Sequence, residues 1–124
     1  MLIEDYFQKI ESDIANCPYI FESRIHRDKR SQRIGIISGE ISFKDESFLY
    51  FIEFVNVKDK IERYKYSYHY QDSHGNLIFR YDMAPHHREI ETFPHHKHVN
   101  SIRVTKASVP DIAKVLDEIV DLIE

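Results

Sequence analysis

Between residues 33 and 82 the residue pattern has a period close to two, which excludes an all-helical chain. RIGIISGEISF (33–43), SFLYFIEFVNV (47–57), ERYKYSYHYQD (62–72) and NLIFRYD (76–82) are rich in β-branched and aromatic residues. Such residues suit a pleated, half-buried surface. Short polar turns separate the four runs: Lys44-Asp45-Glu46, Lys58-Asp59-Lys60 and Ser73-His74-Gly75-Asn76. Connections that short join antiparallel neighbours. Residues 19–27 and 98–105 are further strand candidates.

Both ends of the chain switch to the helical period. Leu2, Ile3, Tyr6, Phe7, Ile10 and Ile14 recur at spacings of three and four and predict a helix over 2–15, ended by Asn16 and Pro18. Ser108 is the expected N-cap of a second helix, with Pro110 in its first turn. Ile112, Val115, Leu116, Ile119, Val120 and Ile123 mark its apolar face. The predicted architecture is α+β: an antiparallel meander sheet of five to six strands, with the N- and C-terminal helices packed on one face. With 124 residues and no repeat, low-complexity tract or linker, the chain reads as a single domain, 1–124. A hydrophobic content of 42% argues against disorder. The one cysteine, Cys17, rules out an internal disulfide and fits a reducing compartment. Neither a signal peptide nor an apolar stretch of membrane-spanning length is visible, so a cytoplasmic location is expected.

The net charge of −4 argues at first against a nucleic-acid partner, but the charge is unevenly spread. Residues 1–62 carry 9 basic and 12 acidic side chains, residues 63–106 carry 7 and 4, and residues 107–124 carry 1 and 5. The middle segment is therefore locally positive, and it holds seven of the eight histidines. A local cationic patch is what phosphate binding needs. Five of those histidines fall in APHHREIETFPHHKH (84–98), within the longest predicted connection, roughly residues 83–97. Long ordered loops in small domains are more often functional than incidental.

Three chemistries fit that loop. The first is acid–base catalysis, because imidazole populates both protonation states near neutrality. Two imidazoles flanking a phosphodiester can deprotonate a ribose 2′-OH and protonate the leaving 5′-oxygen, while cations hold the charge that develops. His86, His87, His95, His96 and His98 supply the imidazoles, and Arg88, Lys97 and Arg80 the cations. Strand alternation places His69 on one face with Arg80 and Asp82 if the strands at 62–72 and 76–82 pair through the turn at 73–76, and a one-residue slip would reverse this. Tyr66, Tyr68 and Tyr81 are candidates to stack on RNA bases, although sheet packing is the simpler use of alternating tyrosines. The second chemistry is a metal site. His96 and His98 are two apart on an extended segment, and Asp82, Glu89 or Glu91 could complete a zinc or other divalent ligand set. HExxH, paired CxxC and Asp-rich two-metal patterns are absent. The third is structural: histidines exposed beside Pro85 and Pro94 cap turns and do nothing else.

Residues 66–98, YSYHYQDSHGNLIFRYDMAPHHREIETFPHHKH, resemble the core of the TumE-type toxins of toxin–antitoxin systems. One position departs from the family pattern, Met83, where Asn is expected. The resemblance implies a toxin silenced by a cognate helix-turn-helix antitoxin. It implies a ribonuclease-like activity on RNA, and it gathers His69, Arg80, Asp82, His86, His87, His95, His96, Lys97 and His98 into the site. The expectation is a metal-independent endoribonuclease without cofactor. His95 and His96 serve as acid and base, in no assigned order, Arg80 and Lys97 bind phosphate, His69 orients an imidazole or shares the proton work, and Asp82 fixes a tautomer. A metal-dependent hydrolase and a non-catalytic RNA- or protein-binding module are the alternatives. A homodimer is compatible with the sequence.

Overall fold

The computed structural model describes residues 1–83, 95–99, 103–106 and 110–124. Helix α1 (Ile3–Ala15) leads into strands β1 (Ile20–Lys29), β2 (Ile34–Phe43), β3 (Phe48–Asn56), β4 (Glu62–Gln71), β5 (Leu77–Met83), β6 (His95–Val99) and β7 (Arg103–Lys106), and helix α2 (Ile112–Ile123) follows. The described strands form one sheet in sequence order, β1 to β7, with every neighbouring pair antiparallel. The α+β meander therefore stands as predicted, and its last strand candidate (98–105) resolves into two short strands. Residues 95–97, expected in the loop, belong to β6, because the β5 edge pairs Phe79 to Met83 with Val99 to His95.

The helices start where the sequence supplies acceptors for their orphan N–H groups. The Asp5 carboxylate accepts the Leu2 N–H at 3.2 Å. Asp111, rather than Ser108, caps α2, and its side chain accepts the Lys114 N–H at 2.8 Å. Both helices lay their apolar faces on the same side of the sheet. Ile3, Tyr6, Phe7, Ile10 and Ile14 of α1, with Ile112, Val115, Leu116 and Ile119 of α2, are buried together with Ile37, Ile41, Leu49, Phe51, Val55 and Phe79 of the strands. The opposite face of the sheet has no helix over it among the described residues. Gly39 keeps its place on the inner face because a Cβ there would come within 2.6 Å of the Phe51 ring.

Tyr66, Tyr68 and Tyr70 also point to the covered side and are buried. Tyr64 does not share their face. A register shift in the β3–β4 pairing at Phe54/Val55 carries it to the open side, where its ring meets Phe54 at 5.1 Å. One extra residue in a strand breaks the alternation that sequence reading relies on.

Burial raises the phenol pKa of Tyr6, Tyr66 and Tyr68 above the ordinary 10.0, and pushes Tyr66 up to about 12. The unfolded chain releases those protons near pH 10, while the folded chain holds them. Stability is therefore undiminished below that pH and falls as pH rises through the folded values. Circular dichroism across an alkaline titration, followed together with tyrosinate absorbance, should show unfolding that coincides with ionisation of these buried phenols. Smooth titration of all tyrosines near pH 10 in a still-folded chain would contradict the packing.

Candidate functional site

The β4–β5 turn decides which residues meet. The Asp72 carboxylate accepts the backbone N–H groups of His74 and Asn76, each at 2.9 Å. Gly75 takes φ +85°, a left-handed conformation suited to glycine. The hairpin so closed pairs Ser67 with Asp82, Tyr68 with Tyr81 and His69 with Arg80. β6 then adds His98 opposite Arg80 and His96 opposite Asp82. The result is a row of register partners on the open face: Tyr50, His69, Arg80, His98. A second row beside it runs Ile52, Ser67, Asp82, His96.

Asp82 ties the first row to the second. Its Oδ2 lies 3.2 Å from Arg80 Nε and 3.5 Å from His98 Nε2. The Asp82 side chain is 14% exposed and that of His98 24%, whereas Arg80 is 46% exposed and reaches into solvent. A carboxylate so shielded attracts a protonated imidazole more strongly than a surface pair does. The His69 ring nitrogen Nε2 lies 3.0 Å from Gln71 Oε1, which orients the second imidazole. Farther along the same face, His26 Nε2 meets Glu40 Oε2 at 2.8 Å.

Several sequence-predicted site residues lie elsewhere. Lys97 pairs with Tyr81 on the helix-covered side. Its ammonium binds Glu118 of α2 at 2.9 Å and stands 4.9 Å over the Tyr81 ring and 5.1 Å over Phe79. The Tyr81 hydroxyl donates to the same Glu118 at 2.6 Å. Lys97 and Tyr81 are therefore an anchor for α2, in place of the phosphate ligand and the base platform expected of them. Tyr66 and Tyr68, at 1% and 0% exposure, leave no ring face open to a base. His95 and His96 occupy adjacent positions of β6, in register with Met83 and Asp82 respectively. Adjacent positions of a pleated strand belong to opposite faces, so only position 96 falls in a row with Asp82. His86, His87 and Arg88 lie outside the described residues, as do Pro85, Glu89, Glu91 and Pro94. For a metal, Asp82 and His98 stand together, and position 96 lies beside them in register. No group of three or more ligand-type side chains assembles among the described residues.

An antiparallel sheet with helices on one face and an imidazole–guanidinium–imidazole row on the other defines a small α+β protein. No curated protein and no solved structure matches the chain. The family model for Toxin TumE matches residues 10–124, nearly the whole length, and the chain belongs to the TumE toxin family. It is thus a toxin, and the family implies an antitoxin as its partner. None of the described helices is long and apolar enough to cross a membrane.

Proposed function

We propose that the toxin is a metal-independent endoribonuclease whose acid and base stand on either side of Arg80. The observation that carries this reading is the row His69–Arg80–His98, with Asp82 holding Arg80 and His98. Neighbouring strands are about 4.8 Å apart, so the two imidazoles are carried on backbones about 10 Å apart with the guanidinium between them. In-line displacement at phosphorus needs a base on one side of the phosphate and an acid on the other. One imidazole takes the 2′-OH proton and the 2′-oxygen attacks phosphorus. The other protonates the departing 5′-oxygen, and a 2′,3′-cyclic phosphate remains. Arg80 binds the phosphate oxygens as charge builds on them. Asp82 orients His98, which in this reading is the acid. His96, in register with Asp82, supports this pair. The antitoxin in this reading is a helix-turn-helix protein, and the two act in the cytoplasm, where RNA is at hand.

The alternative worth a test is a metal-dependent hydrolase, because Asp82 stands beside His98 and position 96 is in register with Asp82. RNA cleavage by the antitoxin-free toxin in excess EDTA separates the two. Cleavage that persists, yields cyclic-phosphate ends and disappears in His98→Ala is the expected result. Activity lost in EDTA and restored by a divalent metal would turn the cluster into a ligand set. No cleavage in either condition would leave a non-catalytic binding module.

A further inference from the structure

The open face carries an aromatic stripe beside the imidazole row. Phe48, Tyr50, Ile52 and Phe54 occupy alternate positions of β3 on the side away from the helices, while Leu49, Phe51, Glu53 and Val55 fill the covered side. Tyr50 is 39% exposed, and Tyr64, packed edge-on against Phe54, is 41% exposed. The Asn56 amide donates to the Tyr64 hydroxyl at 2.7 Å, which holds that ring on the open face. Phe48, Ile52 and Phe54 are half-buried, whereas the Tyr50 ring is exposed on the face that carries the imidazole row. An exposed aromatic beside a row of polar groups is a candidate binding surface.

Tyr50 is the member nearest the chemistry. It pairs with His69, which pairs with Arg80. Directly opposite residues bring their Cβ atoms to about 5 Å, so Tyr50 and His69 are cross-strand neighbours on the open face. Arg80 stands two strand spacings from Tyr50, about 10 Å. A base and the phosphate joined to it through ribose fit that separation once side-chain reach is included. Lys65 is exposed and pairs with Phe54, so the stripe also has a cation on its β4 flank.

We propose that Tyr50 is a base-stacking platform and that the open face takes single-stranded RNA, with a nucleobase on Tyr50 and its phosphate at Arg80. The proposal rests on the ribonuclease reading and adds the substrate class. A duplex hides the faces of its bases in its own stack, whereas a single strand offers them to an aromatic ring. On its β4–β5 side the stripe borders Lys65, His69 and Arg80, which favours RNA over a protein partner, while on β2 Tyr50 faces Glu40, whose carboxylate is engaged by His26.

The test is equilibrium binding of an uncleavable 2′-O-methyl octaribonucleotide of mixed sequence, single-stranded and annealed to its complement. The wild-type toxin, free of antitoxin, is compared with Tyr50→Ala, Tyr50→Phe and Arg80→Ala, each checked for an unchanged thermal midpoint. Tight binding of the single strand, at least about tenfold weaker binding of the duplex, and a loss of roughly 5- to 150-fold in Tyr50→Ala are expected. Tyr50→Phe keeps the ring and should bind within about twofold of wild type. If Tyr50→Ala binds RNA as wild type does while Arg80→Ala does not, the stacking proposal falls and the phosphate site survives. If Tyr50→Ala loses the antitoxin and keeps RNA, the stripe is a protein interface and the proposal is wrong. Failure of the wild-type toxin to bind either oligonucleotide removes the proposal and the ribonuclease reading together.

Discussion

Replacing Glu53 by alanine is expected to destabilise the fold by about 3–5 kcal/mol, the cost of removing one partner from a buried charged network. Glu53 is fully buried on β3, beneath α1. The hydroxyls of Tyr6 and Tyr68 both donate to its carboxylate. Arg63 reaches the same cluster, 3.3 Å from the Tyr68 hydroxyl and also bonded to the Pro110 carbonyl. Burial pulls the Arg63 pKa down, but the Tyr68 phenol oxygen and the Glu53 carboxylate beside it outweigh this and the net shift is upward. Alanine at 53 leaves two phenols without their shared acceptor, removes the carboxylate charge near Arg63 and opens a cavity besides. For a chain of this length the thermal midpoint should fall by roughly 10–20 °C. Glu53→Gln keeps the volume and one carbonyl acceptor, so it should lose less. Thermal unfolding of the two variants checks the order. Equal midpoints for wild type and Glu53→Ala would mean that the cluster does not hold α1 to the sheet. Since Glu53 lies on the covered face, Glu53→Gln should keep the activity that the wild type shows at about 25 °C.

Much of this arrangement was legible from local pattern. The helical periods of α1 and α2 located the covering layer. The alternation in YKYSYHYQ, with the turn chemistry of Asp72 and Gly75, put His69 on a face with Arg80 and Asp82. What escaped depends on pairing between distant segments. HHKHV has no β-branched or aromatic pattern before Val99, so β6 reads as loop until β5 supplies an edge to pair with. Without that register the phase of the strand is undetermined. Lys97 was therefore grouped with the histidines, although it faces α2. Strict alternation would set Tyr64 on the face of Tyr66, Tyr68 and Tyr70, and the bulge that moves it leaves no mark in composition. Tyr50 was missed because SFLYFIEFVNV is apolar on both faces, and only the position of the helices shows which face is open. Glu53 did carry a sign, a lone acid within an apolar run, but its partners lie on α1 and β4.

The largest effect on activity is expected from the two imidazoles flanking Arg80. His69→Ala and His98→Ala should each lower single-turnover RNA cleavage by roughly 10²–10⁴-fold, the usual share of a positioned acid or base. Their double variant should be only slightly worse than the weaker single variant, because an acid and a base that serve one displacement act as a unit. The pH–rate profile gives a second, independent readout. Wild type should show a bell, and each single variant should lose one limb of it. With His98 as the acid, the limb lost in His98→Ala should be the alkaline one, since the acid must be protonated. Asp82→Asn should lower the rate by loosening the His98 ring, without the full loss seen on removing it. Multiplying losses in the double variant, or two single variants that keep both limbs, would show that His69 and His98 do not share one proton-transfer cycle. The acid–base work would then have to be sought at His95 and His96, or among the histidines between β5 and β6.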